Sequence, residues 1–218
     1  GLFTTHDFEN NGTFIANGNT ITVSGSWDNN ATSTMGTSTV VFSATSTSET
    51  IDGASSSLNA FYNLTFGIAA NTATWTPLTA LDVDNNLTVS YGTFSRNAIP
   101  VTVGGNLTTG ASGYWSGVAT TTFDGSGTKN WSDANSTLQN VGRVLVDGSS
   151  KSVQLTGNVK AESITIGADD ILDASTGNFD ITVLSNWVNN NTFVARFGEV
   201  IMSATTTNRT ITAGGDAF

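Results

Sequence analysis

The chain has 218 residues, of which 38% are hydrophobic and only 11% charged, and its formal net charge is −10. With only 7 Lys and Arg residues, it lacks the basic surface that binding to nucleic acid or to an anionic membrane requires. It has no cysteine, which excludes disulfides and thiolate metal sites, and no apolar run long enough to insert into a membrane.

Short apolar segments recur along the chain, and they predict strands. The first are centred on Phe14, 21–23, 40–42, Ile51 and 63–66. Several alternate apolar residues with threonine, which is the period of a strand with one buried face. Gly, Asn, Asp and Ser lie between the segments, where they favour tight turns. No segment has apolar residues at helical spacing, so we expect an all-β chain.

The same phrases return 80 residues later. The segment "GTF" at 12–14 recurs at 92–94, and Val23 aligns with Val103 and Val183, each preceded by threonine. We therefore divide the chain into repeat units at 12–91, 92–171 and 172–218, the last incomplete, and expect the array to continue beyond it. Stacked coils bury inward residues that one coil cannot bury alone, so we predict a single continuous β-solenoid over 1–218 with an 80-residue super-repeat.

The aligned apolar positions are the predicted core. Val23, Val103 and Val183 are expected to point inward at equivalent places, three coils apart. The full predicted core comprises Phe14, Val23, Trp27, Ile51, Leu64, Phe94, Val103, Leu107, Trp131, Val144, Val183, Trp187 and Ile211.

Phrases such as "GTFIANGNTITVSGSW" and "YNLTF" resemble the Thr/Asn/Gly-rich repeats of bacterial extracellular β-solenoid proteins, namely filamentous-haemagglutinin-like and autotransporter-passenger-like adhesin or fibre repeats. This resemblance implies a right-handed parallel β-helix outside the cell and carries over no catalytic residues. The alternative fold is a tandem array of β-sandwich domains, whose strand and turn spacing is similar.

Few residues suggest catalysis or metal binding. His6 is the only histidine, so a histidine-based triad or metal cluster would depend on it alone. Asp82 with Asp84, and Asp169 with Asp170, are weak candidates for a metal site, because they offer oxygen ligands without the spacing of a calcium loop. We expect no cofactor, with an adventitious calcium ion as the only alternative.

Two further groups of residues concern glycans. Asn-x-Ser/Thr sequons make glycosylation conceivable at Asn30, Asn63, Asn86, Asn106 and Asn208, although Asn63 is better explained as a stacked asparagine that bonds to its neighbours between coils. The less regular aromatic residues Trp75, Trp115 and Tyr114 are candidates for an exposed surface that stacks on sugars.

These features favour a non-enzymatic, extracellular or cell-surface structural protein: a stalk, adhesin shaft or filament that stacks coils and assembles with copies of itself. A glycan-binding module is the alternative. A β-helix enzyme that degrades polysaccharides is a weaker third, since its clustered aspartates lack an evident basic partner in the sequence.

Overall fold

A computed structural model describes residues 1–53 and 59–216; the loop expected at 55–57 and the final residue, Phe218, lie outside these ranges. The described residues form β-strands and no helix. The strands are β1 (Leu2–Thr5), β2 (Phe8–Asn10), β3 (Thr13–Ile15), β4 (Thr20–Val23), β5 (Trp27–Asn29), β6 (Thr32–Thr34), β7 (Thr39–Phe42), β8 (Ser48–Asp52), β9 (Asn63–Phe66), β10 (Thr74–Pro77), β11 (Leu81–Val83), β12 (Leu87–Ser95), β13 (Val101–Val103), β14 (Leu107–Ser116), β15 (Thr120–Phe123), β16 (Ser126–Asp133), β17 (Arg143–Val146), β18 (Ser149–Leu155), β19 (Val159–Ala161), β20 (Ser163–Ile166), β21 (Ile171–Asp173), β22 (Ile181–Val183), β23 (Trp187–Asn189), β24 (Thr192–Val194), β25 (Val200–Met202) and β26 (Ile211–Thr212).

The strands stack in parallel, one coil above the next. The first coil contains β1, β2 and β3, and the second places β4, β5 and β6 on them in that order. The chain continues in this way for about ten turns. The predicted all-β solenoid is confirmed. The tandem-sandwich alternative is wrong, because sandwiches are built from antiparallel sheets and every strand pair described here is parallel.

Four sheets result from this stacking. The largest has 14 strands and includes β1, β4, β7, β9, β12, β14 and β16 in that order; a 7-stranded sheet runs from β11 to β26, a 3-stranded sheet joins β19, β22 and β25, and β3 pairs with β6. After β16 the 14-stranded sheet continues through β18, β21 and β24, and each of these strands is followed along the chain by a strand of the 3-stranded sheet.

The interior is one continuous core. In β4 the side chains of Ile21 and Val23 are fully buried while the threonines between them face outward. Most other strands show the same alternation, so each coil sends apolar side chains inward. These join a single hydrophobic cluster that extends from Phe8 to Phe193.

The 80-residue similarity does not mark stacked positions, and the expectation that it would is wrong. Val23 lies in the 14-stranded sheet, Val103 in the 7-stranded sheet and Val183 in the 3-stranded sheet. The residue stacked on Val23 is Phe42, only 19 positions later. Every sheet has the same pattern of inward and outward positions, so the same strand-and-turn sequence can occur in any of them. Its recurrence after 80 residues therefore does not correspond to a whole number of coils.

The predicted core residues are buried, with two exceptions. Phe14 is half-buried and packs edge-on against Phe8, with ring centroids 4.9 Å apart. Ile211 departs from the prediction, since its side chain is 55% exposed. It lies in β26, which pairs with β23 on one side, and no described strand covers the other side.

Candidate functional site

Three aspartates gather at one corner of the solenoid. Asp82 points outward from the middle of β11, Asp84 follows the end of that strand, and Asp124 follows β15 two coils later. Partial burial, followed by repulsion from Asp84 and then Asp124, raises the pKa of Asp82 from 3.8 to about 6. The sequence identified the pair Asp82 and Asp84, but only the coil stacking shows that Asp124 joins them.

A lysine that the sequence did not single out closes this corner. Lys151 is fully buried in β18, and its Nζ donates hydrogen bonds to the carbonyl oxygen of Gly104, at 2.6 Å, and to that of Asp124. Burial, helped by repulsion from Lys129, lowers the pKa of Lys151 to about 8. Its partners lie 47 and 27 residues away, so no local sequence signal could have revealed the contact.

Asp169 and Asp170 organise the adjacent turn. Asp170 is fully buried, and its carboxylate accepts hydrogen bonds from the backbone N–H of Lys151 at 2.7 Å and of Gly148 at 3.3 Å. Asp169 accepts one from the N–H of Ser150 at 3.1 Å. Residues 1–53 and 59–216 contain no group of three or more His, Cys, Asp and Glu side chains suited to a metal ion. The hydrogen bonds of the two aspartates stabilise the backbone of this turn, and an adventitious calcium ion stays a prediction.

The expected aromatic surface is largely internal. Trp75 is fully buried and Trp115 is 8% exposed, so the expectation of exposure is wrong for both; Tyr114 is 48% exposed. Strand alternation explains the difference between the two neighbours in β14, because one must point inward. The Trp115 indole N–H donates to Thr109 Oγ1 at 2.9 Å.

Arg96 ties several coils together from the inside. It is fully buried, and its guanidinium donates to Thr121 Oγ1 at 2.6 Å and to the Val141 carbonyl at 2.7 Å. Its Cζ lies 4.9 Å from the centroid of the Trp115 ring, a cation–π contact. Burial lowers the pKa of Arg96 to about 10. These contacts assign Arg96 a structural role.

Two columns of outward residues on the 14-stranded sheet have a regular, uncharged composition. One column of stacked residues, here called the hydroxyl column, consists of Thr4, Thr22, Val41, Thr65, Thr88, Thr108 and Ser132. A parallel one, here called the amide column, consists of Thr20, Thr39, Asn63, Asn86, Asn106 and Asn130. Together these two columns are the neutral face.

Hydrogen bonds connect successive coils along the amide column. Asn63 Oδ1 accepts from the Asn85 side chain at 2.9 Å and from the Asn86 N–H at 3.3 Å, while Asn63 Nδ2 donates to Thr39 Oγ1 at 3.3 Å. Asn86 Oδ1 accepts in turn from the Asn106 N–H at 3.0 Å. Asn63 is thus a stacked asparagine, and three of the five candidate glycosylation sites lie in this column.

The remaining candidate residues lie apart from these surfaces. Asn30 and Asn208 are exposed, and Asn30 Nδ2 donates to Asn11 Oδ1 at 3.3 Å. His6 is exposed and lies 3.9 Å from Asp7. The described ranges include no helix of the length and apolarity needed to cross a membrane.

The outermost coils leave strand edges and apolar side chains uncovered. At one end, β1 pairs only with β4 among the described strands, and Leu2 is 72% exposed. At the other, β24, β25 and β26 each pair on one side only within the part of the chain that the structure describes, and Phe197 is 90% exposed. Unpaired parallel edges of this kind can accept a further strand.

No protein-family model matches this chain, and neither the curated proteins nor the solved structures contain a significant match. The resemblance to filamentous-haemagglutinin-like and autotransporter-passenger-like repeats is therefore one of repeat style.

Proposed function

We propose that this chain is a non-enzymatic structural protein of the cell exterior, forming part of a stalk, adhesin shaft or filament. The observation that carries the proposal is the single hydrophobic core that continues through the stacked coils. In such an array each coil packs mainly against its neighbours, so added coils extend the molecule without changing its cross-section. Tension along the axis is shared by the backbone hydrogen bonds between successive strands and by the asparagine bonds beside them.

Growth of the shaft would use the outermost coils. Their parallel edges and exposed apolar residues suit the docking of a second copy of this chain, which would bury Leu2 and Phe197 and continue the sheets. Support for an exterior location comes from composition: a polar surface rich in Thr, Ser and Asn, few charges and no cysteine.

Negative-stain electron microscopy over a range of protein concentrations tests this proposal. About ten coils at the ~4.8 Å spacing of paired strands give a rod about 50 Å long for one chain. We expect rods that lengthen in multiples of this value as concentration rises. In the variant Ile211→Asp, which charges the exposed edge, they should stay at the single-chain length, whereas Thr165→Asp on the side of the rod should assemble normally.

The possible outcomes separate the two parts of the proposal. Rods of single-chain length at every concentration would contradict end-to-end assembly but would remain consistent with a role as a shaft. Compact globular particles would contradict the proposed role as a shaft as well.

A further inference from the structure

Charge is distributed unequally among the outer surfaces of the solenoid. The chain has 17 acidic and 7 basic residues, and all of them lie within the described ranges. No acidic or basic residue occupies either column of the neutral face. The 7-stranded sheet, in contrast, carries Asp82 and Arg143, and the outward positions of β2 and β5 carry Glu9 and Asp28. The two columns of the neutral face therefore run through about seven coils without a charged side chain, which distinguishes this face from the surfaces beside it.

The neutral face is also periodic and stiff. The register of the hydroxyl column is unbroken from β1 to β16, so its side chains repeat at the ~4.8 Å spacing of paired strands. Threonine has few rotamers because it is branched at Cβ, and neighbouring coils hold Thr22, Thr65, Thr88 and Thr108 half-buried. A repeating row of hydroxyl and methyl groups is thereby fixed before any ligand binds, which reduces the entropy lost on binding.

The spacing corresponds to that of tetrahedrally bonded water. In such a network, hydrogen bonds of about 2.75 Å place second-neighbour oxygens about 4.5 Å apart, within about 0.3 Å of the strand spacing. Over two or three successive coils, before the difference in spacing accumulates, the hydroxyl column can therefore hold waters in nearly the geometry of ice. Such a lattice carries no net charge, and a charged side chain would draw its waters into a different arrangement.

We propose that the neutral face binds the surface of ice crystals. A crystalline polysaccharide is the other periodic, uncharged partner of this dimension, but its binding uses exposed aromatic rings that stack on sugars. In the strand segments between β4 and β16 that carry the two columns, the aromatic residues Phe42, Phe66 and Trp131 point inward and are fully buried, whereas the exposed Tyr114 lies beyond the columns in the second half of β14. Ice binding goes beyond the proposed shaft function, since it uses the side of the rod and not its ends.

Ice itself is the probe for the test. The chain, produced without N-glycans, is measured for inhibition of ice recrystallisation and for retention in a slowly growing ice front. Thr65→Tyr and Thr88→Tyr place a bulky ring in the middle of the hydroxyl column. Thr122→Tyr is the matched control, because Thr122 is a half-buried outward threonine in β15 on the 7-stranded sheet. Circular dichroism establishes that each variant is folded.

The wild-type chain and Thr122→Tyr should inhibit recrystallisation equally, and the two neutral-face variants should need about tenfold more protein for the same effect. The proposal fails if the wild-type chain behaves like an inert protein of similar size and charge. An equal loss of recrystallisation inhibition in all three variants would also overturn it. So would a chain that binds crystalline cellulose or chitin in place of ice and loses that binding in the Thr65→Tyr variant. None of these results depends on whether the rods assemble end to end.

Discussion

The coils before and after Trp115 fill the same kind of interior with different side chains. In the first part, aromatic rings contact one another without interruption from coil to coil. This aromatic stack consists of Phe8, Trp27, Phe61, Phe42, Phe66, Phe94 and Trp115. After Trp115 only two separate pairs are found in the described residues, Phe123 with Trp131 and Trp187 with Phe193.

Buried charge shows the opposite distribution. The buried polar residues before Arg96 are all neutral. Arg96 is the one buried charged residue in the described residues before Trp115, whereas Asp133, Lys151 and Asp170 are buried in the later coils. Aromatic rings bury large areas by themselves. In the later coils, buried charged side chains bond to the backbone: Lys151 donates to carbonyl oxygens, and Asp170 accepts from backbone N–H groups. The comparison indicates that two different sets of interactions stabilise one fold: ring packing in the first part and charged hydrogen bonds in the second.

The largest effect is expected from cutting the aromatic stack. Trp27 is 1% exposed and stacks on Phe8 with ring centroids 3.8 Å apart. Trp27→Ala leaves a large cavity and should lower the free energy of unfolding by about 4 kcal/mol. Urea unfolding measures the total. Hydrogen exchange should show that protection is lost in the first coils before the last, because coils are stabilised mainly by nearby coils.

Leu155→Ala is the counterpart in the later coils, where Leu155 is fully buried in β18. Its expected cost is smaller, about 3 kcal/mol, with the loss of protection confined to the second part of the chain. If Leu155→Ala proved the more damaging change, or if both variants lost protection uniformly, the distinction between the two parts would be wrong.

Replacement of the buried Lys151 should have the next largest effect on the free energy of unfolding. Lys151→Met keeps the length of the side chain but removes the donor to the carbonyl oxygens of Gly104 and Asp124, and also the positive charge near the buried Asp170. We expect a loss of about 2 kcal/mol, since unsatisfied buried acceptors are costly.

Lys160→Met is the matched control for this change. Lys160 is half-buried at the outward position of β19, and its replacement should alter the unfolding free energy by less than about 0.5 kcal/mol. Equal effects of the two substitutions would show that Lys151 contributes no more than a surface lysine, and the second half of the comparison would then have no support.

The sequence predicted the strand class, the parallel stacking and most of the core, because inward and outward alternation is a local property. It did not predict which residues stack. Val23 meets Phe42 and not Val103, since coil length depends on turns of differing size, and small differences add up along the chain.

The contacts of Lys151 and Arg96 were missed for the same reason. Each reaches carbonyl oxygens more than one coil away, and a lysine or arginine inside a polar-looking segment gives no local sign of burial. The exposure of Trp75 and Trp115 was judged from their irregular spacing, whereas their alternation within β10 and β14 was the better guide.

The smallest effect on the free energy of unfolding is expected from the surface charge of Asp82, which lies in the earlier coils. Its pKa is raised from 3.8 to about 6, so the folded chain holds this proton more tightly than the unfolded chain does. The resulting contribution to stability is present below about pH 4 and is lost as the pH rises through 6.

Asp82→Asn should therefore stabilise the protein by about 1 kcal/mol at pH 7.5, a value reduced for solvent screening, and should have no effect at pH 3.5. Urea unfolding at the two pH values measures this difference. Glu199→Gln, at an exposed position, should change little at either. A gain from Asp82→Asn that persists at pH 3.5 would show that the carboxylate charge is not its cause. A gain confined to neutral pH would instead mean that the ionised carboxylate of Asp82, on the outer surface of the earlier coils, destabilises the protein. The carboxylate of Asp170, which is buried near Lys151 in the later coils, contributes to the fold.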